Sequence, residues 1–161
     1  MKRVASALLA VAAIAGVSAA AQRPAALRPS EQVWVAAPTP KGGLSWATLE
    51  STREIQRNDA GILFSKPAFP DAVKGLNGKR VRVNGYMMPL ETSARQSHFV
   101  LLGYPPDCPF HLNPAPTQFI EVRLGTPIAV DNRVRTIEGM LVLGGADESG
   151  IFYRIVNGRE L

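Results

Sequence analysis

The chain has 161 residues, which is enough for one domain with a short additional segment. Its 18 lysines and arginines against 13 acidic residues give a mild positive charge, and the arginines are scattered along the chain. This distribution argues against a nucleic-acid-binding protein, which would need clustered basic residues with stacking aromatic side chains. The single cysteine excludes an internal disulfide.

The N-terminal segment has the layout of a secretory signal peptide. Residues 1–21 begin MKR, continue as an uncharged, alanine-rich run and end in small residues. We expect cleavage near Ala21, export to the periplasm and no stable membrane anchor afterwards. The alternative is a permanent anchor, since the run is about long enough to span a bilayer. Residues 22–43 contain four prolines and a Gly-Gly pair, which predicts an extended leader.

Residues 44–161 are predicted to form a single domain that begins with a helix. Apolar residues lie along one face of the segment from Leu44 to Asn58, and Gly61 is a suitable helix terminator. An irregular apolar segment from Ile62 to Pro70 is expected to lie across the body of the domain. The Asn77-Gly78 pair predicts a tight turn into the first strand.

From Lys79 onward the apolar pattern changes to a period of two, which is typical of strands. Val81 and Val83 are expected to face inward and Arg80 and Arg82 outward. Short strands without intervening helices favour a mainly β fold. We predict a small antiparallel OB-like barrel, or an open meander, of about five strands with an N-terminal helix. The predicted strands are residues 79–88, 98–104, 118–124, 133–143 and 151–156.

The segment from Gly103 to Gln118, between the second and third predicted strands, is the strongest candidate for a functional surface. It contains five prolines together with Cys108 and His111. Proline fixes φ and removes a backbone donor, so this segment forms neither a helix nor a central strand. Long loops without secondary structure are usually functional or disordered. The prolines stiffen this one, which favours a held loop that presents Cys108 and His111.

Two parts of the sequence together resemble a family of small exported bacterial proteins described as a domain of unknown function. One is the strand end from Gly85 to Leu90, GYMMPL; the other is Cys108 in its proline-rich loop. The likeness extends from about Trp46 to the C-terminus. It implies an exported protein, and some members are encoded near transporter systems that handle metals. In the commoner pattern a histidine lies two residues after the cysteine, whereas here His111 lies three residues after it.

The residues of the loop suggest a transition-metal site. Zinc takes three or four ligands from Cys, His, Asp and Glu side chains, and Cys108 and His111 are two such residues in one loop. His98, at the start of the preceding strand, or Glu91, at the end of the first strand, would complete the set. Monovalent copper is the alternative, because methionines adjoin Pro89 and soft ligands favour that ion. A Cys-x-x-His pair alone is half a site.

Catalysis is not expected. A catalytic thiol needs a nearby cation, a histidine or a helix N-terminus, and His111 or His98 could serve. However, Asp107 adjoins Cys108 and the loop contains no lysine or arginine, so a thiol enzyme is only the third alternative. Ser97 and His98 are adjacent on a strand, so they point to opposite faces and make no catalytic pair.

The sequence therefore predicts a non-catalytic binding or accessory protein of the periplasm. The leading hypothesis is zinc or copper handling through Cys108 and His111, with an envelope transporter as the partner. The rival hypothesis is a protein-interaction module whose proline-rich loop docks another envelope protein, with Cys108 in a structural role.

Overall fold

A computed structural model describes residues 35–106 and 114–161 of the chain. The predicted signal peptide and residues 22–34 of the predicted leader lie outside this part. Strands predominate, which confirms the expected mainly β fold, and in the described part of the chain neither short helix is long and apolar enough to cross a membrane. The elements are α1 (Trp46–Glu50), β1 (Arg53–Asp59), β2 (Ile62–Ala68), α2 (Asp71–Lys74), β3 (Arg80–Pro89), β4 (Arg95–Leu102), β5 (Phe119–Ala129), β6 (Val134–Leu143) and β7 (Tyr153–Glu160).

Five of the strands close into a barrel in the order β3-β4-β5-β7-β6, and β6 pairs back with β3. This is an OB-like arrangement, as predicted. All neighbouring pairs are antiparallel except β5 and β7, which run parallel. The expectation of a wholly antiparallel barrel is corrected at this one pair. Strand directions cannot alternate all the way around a closed ring with an odd number of strands.

The barrel interior follows the period-two pattern of the sequence. Val81 and Val83 are buried, while Arg80 and Arg82 lie on the outer face, as expected. The strand β3 changes partner from β6 to β4 at Tyr86, next to Gly85. A β-carbon at Gly85 would lie 2.6 Å from the Leu101 side chain, so only glycine permits this close approach. Other fully buried residues of the core are Phe99, Leu101, Ile120, Val122, Ile137, Leu141 and Ile155.

The segment that precedes the barrel packs against it. The Ala37 amide donates to the Gly103 carbonyl oxygen at 2.8 Å, and the Leu44 amide donates to the Arg82 carbonyl oxygen at 2.7 Å. The helix α1 is capped by Ser45, whose hydroxyl accepts from the Thr48 amide. These contacts position α1 beside the end of β4, where the candidate loop begins.

The predicted helix over Leu44 to Asn58 is wrong beyond Ser51. From Arg53 the chain forms β1, which pairs with β2 as an antiparallel hairpin outside the barrel. Ala60 and Gly61 form its two-residue turn, with φ of 50° and 86°. Positive φ at both central positions is the geometry of a tight hairpin turn, so Gly61 turns a hairpin instead of ending a helix. The segment expected to be irregular is accordingly mostly strand β2.

Candidate binding site beside the β4–β5 loop

The base of the β4–β5 loop is held by backbone hydrogen bonds. The Gly103 amide donates to the Gln118 carbonyl oxygen at 3.0 Å, which closes the loop directly beyond the last pair of β4 and β5. The Gln118 amide in turn donates to the Ala115 carbonyl oxygen at 2.8 Å. The Gly103 carbonyl also accepts from the Ala37 amide, so the start of the loop is fixed to the segment that precedes α1 as well.

The first side of the loop is joined to α1. The Tyr104 hydroxyl donates to Glu50 Oε1 at 3.0 Å, and partial burial together with this carboxylate raises the pKa of Tyr104. The Trp46 ring lies directly over Gly103, where a β-carbon would come within 2.8 Å of the ring. The Trp46 indole donates to the Asn84 carbonyl oxygen at 2.6 Å, which fixes the orientation of the ring. The loop therefore leaves β4 in a direction set by α1.

The second side of the loop forms one wall of a groove of about 430 Å³. One face of the β1–β2 hairpin, Phe119 and the β6–β7 connection also line this groove. Leu63 and Phe119 supply apolar surface, while the Glu54 carboxylate accepts from Ser65 at 2.6 Å and from Gln56 at 3.0 Å. The remaining lining residues are Pro114, Ala115, Pro116, Ser149 and Gly150.

Contacts with the β6–β7 connection orient the hairpin. Ser65 forms a parallel bridge with Ser149. Arg57 makes an ion pair with Glu148 at 2.7 Å and lies 4.3 Å above the Phe64 ring centroid. This ion pair and its accompanying hydrogen bonds raise the pKa of Arg57, which stays protonated. The hairpin is thus attached near the middle of its length, and the groove is defined by elements that lie far apart in the sequence.

The proposed metal ligands Cys108 and His111 lie outside the described residues. His98 lies on the outer face of β4, where its Nε2 is 2.8 Å from Glu121 Oε1. Glu121 also accepts from Arg154 at 2.8 Å. Burial would raise the pKa of Glu121, but the hydrogen bonds from His98 and Arg154 and the nearby arginine charges together lower it. His98 is therefore part of a network of hydrogen bonds and arginine–glutamate ion pairs on the barrel surface.

Glu91 lies in the turn between β3 and β4. Its carboxylate accepts from the Ser93 hydroxyl at 3.4 Å, and its carbonyl oxygen accepts from the Gln96 amide group at 2.6 Å. The whole of β4, about 24 Å of extended chain, separates this turn from the loop. Within residues 35–106 and 114–161, no three metal-binding side chains converge. The set of Cys108, His111, His98 and Glu91 stays a prediction.

Sequence reasoning identified the loop but missed the groove beside it. The hairpin residues Glu54 and Leu63 were assigned to a helix and to an irregular segment. The available signal was the Asp-Ala-Gly turn at residues 59–61, followed by the β-branched Ile62.

Comparison with known proteins identifies a family. No curated protein and no solved structure matches the chain. A family model described as "Protein of unknown function (DUF3299)" matches residues 29–149, which is well over half of the chain. The matched range includes the strand end from Gly85 to Leu90, the whole β4–β5 loop and the β1–β2 hairpin. The chain therefore belongs to the DUF3299 family of proteins of unknown function.

Proposed function

We propose that the protein is an exported, non-catalytic binding module that serves as an accessory to another protein of the cell envelope. The observation that carries this proposal is the groove between the β1–β2 hairpin and the β4–β5 loop, because it joins apolar surface to a carboxylate at the edge of a fixed barrel. OB folds commonly bind ligands at the face of their second and third strands, here β4 and β5, and at the neighbouring loops. Residues 1–21 supply the export signal.

The chemistry of the groove suits an extended peptide segment of the partner. Leu63 is 59% exposed at the hairpin and faces the same groove as Phe119, so the pair offers a pocket for an apolar side chain. Glu54 favours a lysine or arginine nearby on the same segment. The prolines of the loop lower the entropy lost on binding, since they restrict the backbone before the partner arrives.

Two neighbouring residues of the hairpin allow a matched test. Leu63 lines the groove, whereas Ile62 is 60% exposed on the other face of the hairpin. A photo-crosslinking amino acid would be placed at each position in the exported protein, and the crosslinked envelope segment would be identified. We expect a defined product from position 63 and not from position 62. Identical products from both positions, or none, would contradict the proposal.

A peptide copy of the crosslinked segment completes this test. Its affinity for the wild-type protein should fall at least tenfold in Leu63→Asp and stay near the wild-type value in Ile62→Asp, since only the former places a charge in the groove. Equal affinities for the two variants would exclude the groove as the binding surface.

Zinc or copper handling is the second candidate function, and the spacing of Cys108 and His111 favours it. In this version His98 or Glu91 completes the ligand shell, and the partner is an envelope transporter. The purified protein would be titrated with zinc and with monovalent copper, in parallel with Cys108→Ser and His111→Ala. Stoichiometric uptake that both substitutions abolish would support this function. Absence of uptake, or uptake unchanged by the substitutions, would end it.

A further inference from the structure

A second groove, of about 720 Å³, lies on the barrel where β5 and β7 separate. The parallel pairing of these strands ends at Leu124 and Gly158, and β5 then continues along β4 to Ala129. The space between the diverging strands is lined by residues 125–128 of β5 and residues 157–160 of β7. This groove shares no lining residue with the one beside the β4–β5 loop.

Glu138 and Arg159, which line this second groove, belong to an arginine–glutamate–arginine row across three strands. Glu138 on β6 pairs in register with Arg82 on β3 and with Arg159 on β7. Its carboxylate accepts from Arg82 Nε at 2.6 Å and from the Arg159 guanidinium at 2.7 Å. The hydrogen bond from Arg82 opposes the effect of burial and, with Arg159, lowers the pKa of Glu138. The Glu138 carboxylate thus holds two guanidinium groups in place.

Two further arginines retain hydrogen-bonding capacity towards the groove. Arg80 is 57% exposed, and its single polar side-chain contact among the described residues is the Glu138 carboxylate at 3.8 Å. Arg95 uses one nitrogen to donate to the Pro127 carbonyl oxygen at 2.5 Å. Both side chains line the groove together with the hydroxyl-bearing Thr126 and the amide-bearing Asn157.

The charge around the groove is positive in sum. Glu160 also lines it, but this carboxylate is engaged by Arg133 and Arg135, which share Asp131 as a second partner. The lining residues, their ion-pair partners and the further partner Asp131 together comprise six arginines and three carboxylates, an excess of three positive charges. The arginines are Arg80, Arg82, Arg95, Arg133, Arg135 and Arg159, and the carboxylates are Asp131, Glu138 and Glu160.

We propose that this groove binds a phosphate group carried by a small molecule or by a lipid. The planar fork of arginine matches phosphate oxygens in a bidentate manner. A doubly charged phosphate complements the excess charge better than a single carboxylate would. The volume lies within the range of ligand pockets, about 300–1,000 Å³, so the site accommodates more of a ligand than the phosphate alone. This function is separate from docking at the β4–β5 loop.

Inorganic pyrophosphate is the probe for the test. Calorimetric titration of the purified protein at pH 7 and low salt should give saturable binding with one site. Arg80→Gln and Arg95→Gln should each weaken binding about tenfold, in line with the loss of one charge-assisted hydrogen bond. Arg159 is left intact because it holds the buried Glu138. Arg57→Gln on the hairpin is the matched control, with a side chain 50% exposed and the same change of charge.

The outcomes divide clearly. Absence of pyrophosphate binding would overturn the proposal. So would an equal loss of affinity in Arg57→Gln, because binding would then respond to net charge alone. Vesicles of phosphatidylcholine with and without phosphatidylglycerol then separate the two sources of phosphate. Binding to the phosphatidylglycerol vesicles that pyrophosphate displaces, and that Arg80→Gln weakens, identifies a lipid headgroup. Pyrophosphate binding without vesicle binding identifies a free phosphorylated molecule.

Discussion

Removal of the Tyr153 hydroxyl group tests how α1 is held against β7. It lies 2.7 Å from the Leu49 carbonyl oxygen and 2.7 Å from Thr52 Oγ1, and both Tyr153 and Thr52 are buried. Tyr153→Phe keeps the ring contact with Phe69, whose centroid is 5.8 Å away, and removes only the hydroxyl. The Leu49 carbonyl still accepts from the Thr52 amide, whereas the Thr52 hydroxyl loses its partner. We expect the free energy of unfolding to fall by about 1–2 kcal/mol at pH 8.

The same hydroxyl makes stability depend on pH in the alkaline range. Burial, opposed in part by the Thr52 hydrogen bond, raises the pKa of Tyr153 from 10.0 to about 12. The unfolded chain therefore releases this proton from about pH 10, while the folded protein retains it. The stability that depends on the neutral hydroxyl is complete below pH 10 and is lost as the pH rises towards 12. The loss attributable to Tyr153 is about 1.4 kcal/mol at pH 11.

Urea unfolding at pH 8 and pH 11, followed by tryptophan fluorescence, measures both effects. The difference in stability between the wild-type protein and Tyr153→Phe should shrink by about 1.4 kcal/mol between these pH values, since the variant has no hydroxyl to ionise. Tyr86→Phe is the control, because the Tyr86 hydroxyl forms no hydrogen bond with any described residue. A difference that stays constant with pH, or an equal loss in Tyr86→Phe at pH 8, would refute this reasoning.

Two further predictions concern the surroundings of the candidate loop. Gly103→Ala would force the Trp46 ring to move and should lower the free energy of unfolding by about 1–3 kcal/mol. Gly125→Ala is the control and should not lower it, because a β-carbon there meets no atom within 4 Å. Thermal unfolding compares the two variants, and equal losses would contradict the packing argument. Because the pKa of Glu121 lies below its ordinary 4.5, its contribution is present above that pH and disappears as the pH falls through the folded-state value. In Glu121→Gln the free energy of unfolding should therefore fall less between pH 6 and pH 3 than in the wild-type protein, as measured by urea unfolding. An equal fall in the two proteins would argue against the network of Glu121 and His98.

The barrel strands were predictable because their signal is local. In β3 the alternation of Arg80 and Arg82 with Val81 and Val83 fixes both the strand and the face that each side chain occupies. Gly85 likewise indicated, from the sequence alone, that another part of the backbone lies close to this strand. The parallel pairing of β5 with β7 was not predictable, because it depends on which strands meet when the ring closes and not on any single segment.

The hairpin was missed for a physical reason. β1 lies outside the barrel and exposes most of both faces to solvent, so its polar sequence has no period-two pattern. Ile55, 39% exposed, falls by chance at a helical spacing from Trp46 and Leu49, both of which are buried in and around α1. The strand is instead specified by its pairing with β2, which the turn at Ala60 and Gly61 makes possible.

The candidate site was only partly predictable for a related reason. The prolines around Cys108 marked the loop from the sequence alone, and hydrogen bonds at Gly103 and Gln118 fix its base. Residues 107–113 lie outside the described part of the chain, so the held loop stays a prediction. The groove beside it depends on Leu63, Phe119 and Ser149, which come from three separate elements. His98 was a candidate ligand by residue type, but its contact with Glu121 on the neighbouring strand appears only in the folded barrel.

The positions of the two grooves bear on how the proposed binding functions would combine. Phe119 is the first residue of β5 and lines the groove beside the β4–β5 loop. Thr126 lies about 23 Å further along the same strand and lines the second groove, which contains Arg80 and Arg95. The residues between them include Ile120 and Val122, which are fully buried in the barrel core. Because this core is close-packed, a change of shape at one groove should not reach the other. Free-energy effects at sites this far apart without shared contacts add, so we expect the two grooves to bind independently. If both proposals hold, the barrel is a rigid spacer that presents a peptide partner at one end of β5 and a phosphate-bearing ligand at the other.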